Sequence, residues 1–146
     1  MGVIDNILRW WQGRGFGIQS RGDYEYLKDV IRESLPYYAY DEIRTRLARL
    51  IYRICNHDRQ RHIAMVGTFT PEELRAATMA VGTQPEIVTT MHHLHGRETV
   101  IVNDIGETAA LLWNKALHSS HAITWDMGSM GLIRFIDGRY SENYRV

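Results

Sequence analysis

Two apolar runs in this chain end in residues that could do chemistry. His62-Ile63-Ala64-Met65-Val66 runs into Gly67-Thr68, and Thr99-Val100-Ile101-Val102 runs into Asn103-Asp104. Each run is short and continuously apolar, which suits a buried strand. Ligands of open α/β sheets sit outside the carboxyl ends of such strands. A glycine there lets backbone N–H groups come close to a ligand. Thr70-Pro71-Glu72-Glu73 then opens a helix, whose N-terminal amides carry partial positive charge. Gly67 and Thr68 are therefore candidate contacts for an anion or another ligand, beside the plainer reading of a tight strand-to-helix turn. Asp104 could orient a substrate or act as a base, beside the plainer reading that it caps the next helix.

Other reactive groups are sparser. Tyr37, Tyr38 and Tyr40 make an aromatic patch that could stack on an adenine or a substrate ring, or simply pack. His92, His93 and His95 could hold a metal through neutral imidazole, with Glu98 the only carboxylate close by. A polar loop is the plainer account of them, and no metal site is expected. Cys55 lies among apolar helix positions and reads as inert core. No Ser-His-Asp order, phosphate-binding loop or zinc spacing is present.

The elements that position these groups follow from periodicity. Val3, Ile7 and Trp10-Trp11 recur at helical spacing, and three glycines at 13, 15 and 17 break that helix. Its tryptophan pair is expected to pack against the body of the domain; an interfacial helix on a membrane surface is the other reading. Asp23 is expected to cap a helix carrying Leu27, Val30, Ile31 and Leu35, ended by Pro36. Asp41 is expected to start the next, with Ile43, Leu47, Leu50, Ile51 and Ile54 on one face and Arg44, Arg46, Arg49 and Arg53 solvated on the others. After the first strand, Leu74, Ala77 and Val81 give a buried stripe that stops at Gly82. A short strand is expected over Glu86 to Thr90. After the second buried strand, a helix is expected over 107–117 with Leu111, Leu112 and Trp113 inward. His121 to Asp126 and Leu132 to Ile136 are separated by a short turn and read as a hairpin.

Strands alternating with helices predict an α/β fold with a mostly parallel sheet of about five strands, closed by an antiparallel hairpin. The chain reads as one domain over 1–146, with a helical N-terminal part at 1–56 and a sheet part at 62–136. Its 146 residues, 45% hydrophobic and 23% charged, suit one ordinary folded domain. Seventeen basic residues balance seventeen acidic ones, which argues against nucleic acid as a partner. No apolar run approaches the ~20 residues of a membrane span. With one cysteine and no signal-peptide pattern, the expected location is the cytoplasm.

The order strand–helix–strand–strand with a final hairpin resembles the end of the class I S-adenosylmethionine-dependent methyltransferase fold. Glu98-Thr99-Val100-Ile101-Val102-Asn103-Asp104-Ile105 resembles a strand of that family that ends in acidic character. Ile123-Thr124-Trp125-Asp126 and Gly131-Leu132-Ile133-Arg134-Phe135, with the tyrosine-bearing tail Arg139-Tyr140-Ser141-Glu142-Asn143-Tyr144, resemble the last hairpin of a Bacteroidetes-type subgroup. Gly15-Phe16-Gly17-Ile18-Gln19-Ser20 and Leu35-Pro36-Tyr37-Tyr38-Ala39-Tyr40 resemble that subgroup's opening. The resemblance covers about residues 9–55 and 98–146. It implies a Rossmann-like three-layer sandwich, and S-adenosylmethionine as the cofactor that Gly67, Thr68, Asp104 and Tyr38 would contact.

The middle departs from the pattern. Val66-Gly67-Thr68-Phe69-Thr70 has one glycine where the family has a glycine-rich loop, and Ala64-Met65 stands where an acidic residue precedes it. The 37 residues from His62 through Glu98 hold one strand, one helix and one short strand. A complete cofactor half would need about twice that length, at roughly 30 residues per strand-plus-helix unit. Two functional readings result. One is a degenerate methyltransferase-like domain without catalysis, binding a small molecule or a protein, with a homodimer through a sheet edge as one form of that. The other is an enzyme with a reduced S-adenosylmethionine pocket.

Overall fold

The computed structural model describes residues 2–15, 17–18, 20–88 and 97–146. The fold is mixed α/β, with a six-stranded sheet that is mostly parallel. The chain divides into two compact units. A helical unit comprises Met1–His57, Thr70–Gln84 and Arg145–Val146. A sheet unit comprises Asp58–Phe69 and Pro85–Tyr144.

In the helical unit, α1 (Val3–Gln12) ends where predicted, at the first of the three glycines. Gly15 has φ +87°, and a side chain there would overlap the Tyr24 ring, so glycine is required. The next helix, α2 (Arg21–Tyr26), is capped by Ser20 rather than by Asp23. The Ser20 hydroxyl accepts the Asp23 amide at 3.3 Å, which puts Asp23 inside the first turn, where it is buried. That helix passes into a π-helical turn, Leu27–Ile31, and stops there instead of continuing to Pro36. A 3₁₀ turn, Tyr38–Asp41, follows.

Asp41 does not start the long helix. That helix, α3 (Arg46–His57), begins five residues after Asp41, with the Thr45 hydroxyl accepting the Ala48 amide. Of the expected apolar face, Leu50, Ile51 and Ile54 are buried and Leu47 is half-buried, while Ile43, also buried, lies ahead of the helix. The arginine face is not simply solvated. Arg53 donates to the carbonyls of Val30 (2.7 Å) and Ile31 (3.0 Å), the last residues of the π-helical turn. Arg49 donates to the Ile43 carbonyl at 2.7 Å and lies over the Tyr40 ring. Carbonyls that have no helical partner thus find guanidinium donors. Against α3 packs α4 (Pro71–Val81), which carries the predicted capping box between Thr70 and Glu73 and the predicted left-handed stop at Gly82, φ +83°.

In the sheet unit, β1 (Ile63–Val66) pairs in parallel with β2 (Glu86–Val88) on one side and β3 (Thr99–Asn103) on the other. After α5 (Ala110–Leu117) come β4 (Ala122–Asp126), β5 (Met130–Phe135) and β6 (Glu142–Arg145). The sheet order is β2-β1-β3-β5-β4-β6. The hairpin β4–β5 forms as expected, but it does not make an antiparallel edge. Its second strand is inserted between β3 and β4, antiparallel to both, and β6 lies outside β4. The tyrosine-bearing tail thus supplies a sixth strand, over Glu142–Arg145.

One face of this sheet, built from Ala64, Val66, Val100, Val102, Ala122 and Ile133, packs against Ile105, Ala109, Trp113 and Ala116. The inward stripe of α5 is thus Trp113 and Ala116. Leu111 is 82% exposed, a correction to the expected inward face, because at 3.6 residues per turn it lies across the helix from Trp113, whereas Leu112 packs partly buried against the same core. The register aligns Met65, Ile101, Leu132 and Trp125 on the opposite face, each fully buried. Tyr144 of β6 stacks on Trp125 with centroids 4.6 Å apart.

Candidate functional site

The topology brings two of the sequence's candidate segments together. From β1 the chain goes to β2 on one side, then reaches β3 on the other, so strand order reverses at the β1/β3 pair. Such a reversal opens the crevice where open α/β sheets take ligands. Val66 pairs with Val102, which sets Gly67-Thr68 beside Asn103-Asp104.

The contact there is tight. Gly67 has φ +110°, and a Cβ at that position would lie 3.2 Å from the Asn103 carbonyl oxygen and 3.3 Å from its Cβ. The Asn103 side-chain amide donates to the Thr68 carbonyl. The glycine is thus accounted for by the neighbouring strand's own backbone. Gly67 and Thr68 are exposed.

Asp104 turns away into its own loop. Its Oδ2 accepts the Thr108 hydroxyl at 2.6 Å and the Thr108 amide at 3.2 Å, while its backbone, at φ +57°, accepts from Glu107 and Ala109. The carboxylate organises the turn before α5 but does not cap that helix, whose N-cap is Ala109, so the expected capping role is corrected. Ser129 of the β4–β5 turn accepts the Ile105 amide and ties that turn in. Asp126 ends β4 at the same edge, because β4 runs parallel to β3, and its Oδ1 accepts the Gly128 amide at 3.0 Å.

Thr70 and α4 belong to the helical unit, and the capping box engages the first amides of that helix: Thr70 Oγ1 accepts from Glu73 N at 3.1 Å, and Glu73 accepts from Thr70 N at 2.8 Å. Tyr38 also belongs to the helical unit and is 97% exposed. Its expected companions pack with one another and with Tyr52, at centroid distances of 5.3 Å for Tyr37–Tyr40, 5.7 Å for Tyr37–Tyr52 and 6.2 Å for Tyr40–Tyr52. Burial, helped by the charge of Glu33, raises the Tyr37 phenol above its ordinary value. The patch is a packed triad that does not include Tyr38.

His92, His93 and His95 lie outside the described residues. Among the described residues no group of three or more His, Cys, Asp or Glu could hold a metal ion, and no helix is long and apolar enough to cross a membrane.

The densest polar cluster was not anticipated. Asp58 is buried at the opposite end of β3 and accepts from the Thr99 hydroxyl at 2.8 Å and from Arg134 Nε at 3.1 Å. Arg61 donates to Thr99 Oγ1 at 2.8 Å and to the carbonyls of Glu98 (2.8 Å) and Phe135 (2.9 Å). The sequence signal was an aspartate three residues before an arginine, just ahead of a strand, in a stretch that reads as a polar break. Every member is engaged with another or with backbone, so the cluster is a clasp on the start of β3 and the end of β5. No protein-family model, curated protein or solved structure matches the chain.

Proposed function

We propose that the chain is a degenerate class I methyltransferase-like domain, of Rossmann-like three-layer type, that works as a non-catalytic binding or interaction module. The observation that carries this reading is the state of the β1/β3 strand ends. Asn103 lies against Gly67 where a Cβ would stand and bonds to Thr68, while Asp104 is committed to Thr108. A cofactor would need those same groups: amides approachable over a glycine, and a carboxylate for ribose hydroxyls. Supporting it further, the Asn103 amide and the Asp104 carboxylate both bond within that edge, to Thr68 and Thr108.

The reversal of strand order at Gly67 and Asp104 favours one other reading, a methyltransferase with a reduced pocket. The two separate in a melting experiment with S-adenosylmethionine and S-adenosylhomocysteine. A ligand bound only to the folded state at a hundredfold excess over its dissociation constant adds ~2.7 kcal/mol and raises the melting temperature by several degrees. The binding-module reading expects no shift at saturating concentrations. A reproducible rise with either compound refutes it in favour of the enzyme.

A further inference from the structure

Helix α1 is mounted inside out. Val3, Ile4, Ile7, Leu8, Trp10 and Trp11 share one side of it, and Asp5, Arg9 and Gln12 share the other. On a surface helix the apolar side normally turns inward. Here no residue of α1 is buried, and Val3 and Ile4 are 76% exposed, Trp10 54% and Trp11 53%. The polar side is the one that is held. Arg145 pairs with Asp5 through its guanidinium and donates its backbone amide to Gln12 Oε1 at 2.6 Å. Arg9 Nε adds a 3.2 Å bond to Asp5. Burial pushes the Asp5 carboxyl up, but the charges and hydrogen bonds of Arg9 and Arg145 outweigh that and hold it below its ordinary value. At the C-terminal end, Arg32 donates to the Gly13 carbonyl. These bonds fix the helix with its apolar face outward, which corrects the expectation that the tryptophans pack on the body of the domain.

We infer that this outward face of α1 is an interfacial anchor that seats on an anionic lipid surface. Its side chains suit that setting: four aliphatic residues enter the acyl boundary, and two tryptophans sit at headgroup depth. The charges agree. The only acidic group of α1, Asp5, lies on the inner side and is neutralised by Arg9 and Arg145, whereas Arg14 is exposed beside the face, its guanidinium 4.6 Å from the Trp10 ring centroid. A second copy of this chain is the poorer occupant. A ten-residue helix is roughly 15 Å long, and pairing two such faces falls well short of the ~1,200 Å² of a stable protein interface. The inference is independent of how the strand ends are read.

Vesicle co-sedimentation tests it, with phosphatidylcholine vesicles against phosphatidylcholine–phosphatidylglycerol vesicles. The full chain is expected to sediment with the mixed vesicles, to lose more than about tenfold in affinity in a Trp10→Ala, Trp11→Ala double variant, and to lose about fivefold in Arg14→Ala. Each ring keeps about half of its surface exposed, so the double variant should still fold, which its circular dichroism and thermal melt check. A second readout needs no variant. Tryptophan emission of the parent should move to shorter wavelength on binding and be quenched by brominated lipid, since Trp113 and Trp125 are already buried. Failure to sediment with the mixed vesicles overturns the inference, and so does sedimentation untouched by the double substitution. A concentration-dependent dimer that the double substitution dissolves would reassign the face to a second copy and overturn it as well.

Discussion

The indole of Trp113 lies across Gly131, so close that a Cβ on Gly131 would fall 3.0 Å from Trp113 Cε3 and nearer still to the outer ring atoms. This pair joins α5 to the middle of the sheet, because Gly131 is opposite Val102 on one side and Asp126 on the other. An alanine elsewhere in a strand would gain backbone rigidity. At this position the overlap decides the outcome. Gly131→Ala is expected to cost about 1–3 kcal/mol in denaturant unfolding. Combined with Trp113→Leu, which vacates the space, the cost should fall below the sum of the single variants by about 0.5 kcal/mol or more. Strict additivity would mean that the ring does not rest on the glycine.

The clasp at the other end of the sheet makes a sharper claim. Asp58 is the anionic centre for Arg134 and Arg61 and also accepts from Thr99. Removing one partner of a buried ion pair strands the others, so Asp58→Ala is expected to lose about 3–5 kcal/mol. Asp58→Asn keeps an acceptor for the Thr99 hydroxyl and should lose less. The check is the midpoint of urea unfolding for both variants. Equal losses would show that the charge carries the whole contribution and the retained acceptor none; an Asp58→Asn variant as stable as the parent would show that the charge contributes nothing.

What could be read from the sequence was what local pattern controls. The capping box at Thr70 and Glu73, the glycine stop at 82, the two parallel strands and the hairpin each depend on residues within one turn or one strand, and each forms. What escaped depends on partners distant in sequence. Asp58 meets Arg134 across 76 positions, and Arg53 finds the Val30 carbonyl across 23. The insertion of β5 between β3 and β4 leaves no local trace, since a hairpin looks the same at an edge or inside a sheet. Likewise, periodicity reveals that α1 has an apolar side but not which side faces out; Arg145, at the far end of the chain, decides that. At the candidate site, the sequence located Gly67 and Asp104 at one edge, while the interactions of Asn103 with Gly67 and Thr68 became visible only in the structure.

Glu72 makes the helical unit sensitive to acid. Its carboxylate accepts the backbone amides of Arg44 and Thr45, the approach to α3, and sits in the first turn of α4. Those backbone hydrogen bonds, Arg44's first, favour the charged form and hold its carboxyl below the ordinary value of 4.5. A group whose folded value is depressed contributes fully above its unfolded value, and the contribution disappears as pH falls through the folded value. Glu72→Gln is therefore expected to be less stable than the parent at neutral pH, with the gap closing between about pH 5 and pH 3. Thermal melts of both proteins across that range check it. A gap of constant size would show that ionisation of Glu72 is irrelevant to stability.

Gly67 offers the most direct separation of a structural glycine from a ligand-binding one. Two constraints act on it in the absence of any ligand: φ of +110°, which a side chain rarely adopts, and the Asn103 carbonyl 3.2 Å from where a Cβ would stand. Gly67→Ala should therefore destabilise the ligand-free protein, by about 1–3 kcal/mol. Asn103→Asp replaces the amide that donates to the Thr68 carbonyl with an acceptor, and should lose a further ~0.5–1.5 kcal/mol through the same junction. Because both substitutions act where the two strands meet, the double variant should cost less than the sum of the two. If Gly67→Ala instead left stability untouched, the strand ends would have slack that a cofactor could occupy, and the reduced-pocket enzyme would become the better reading of this edge.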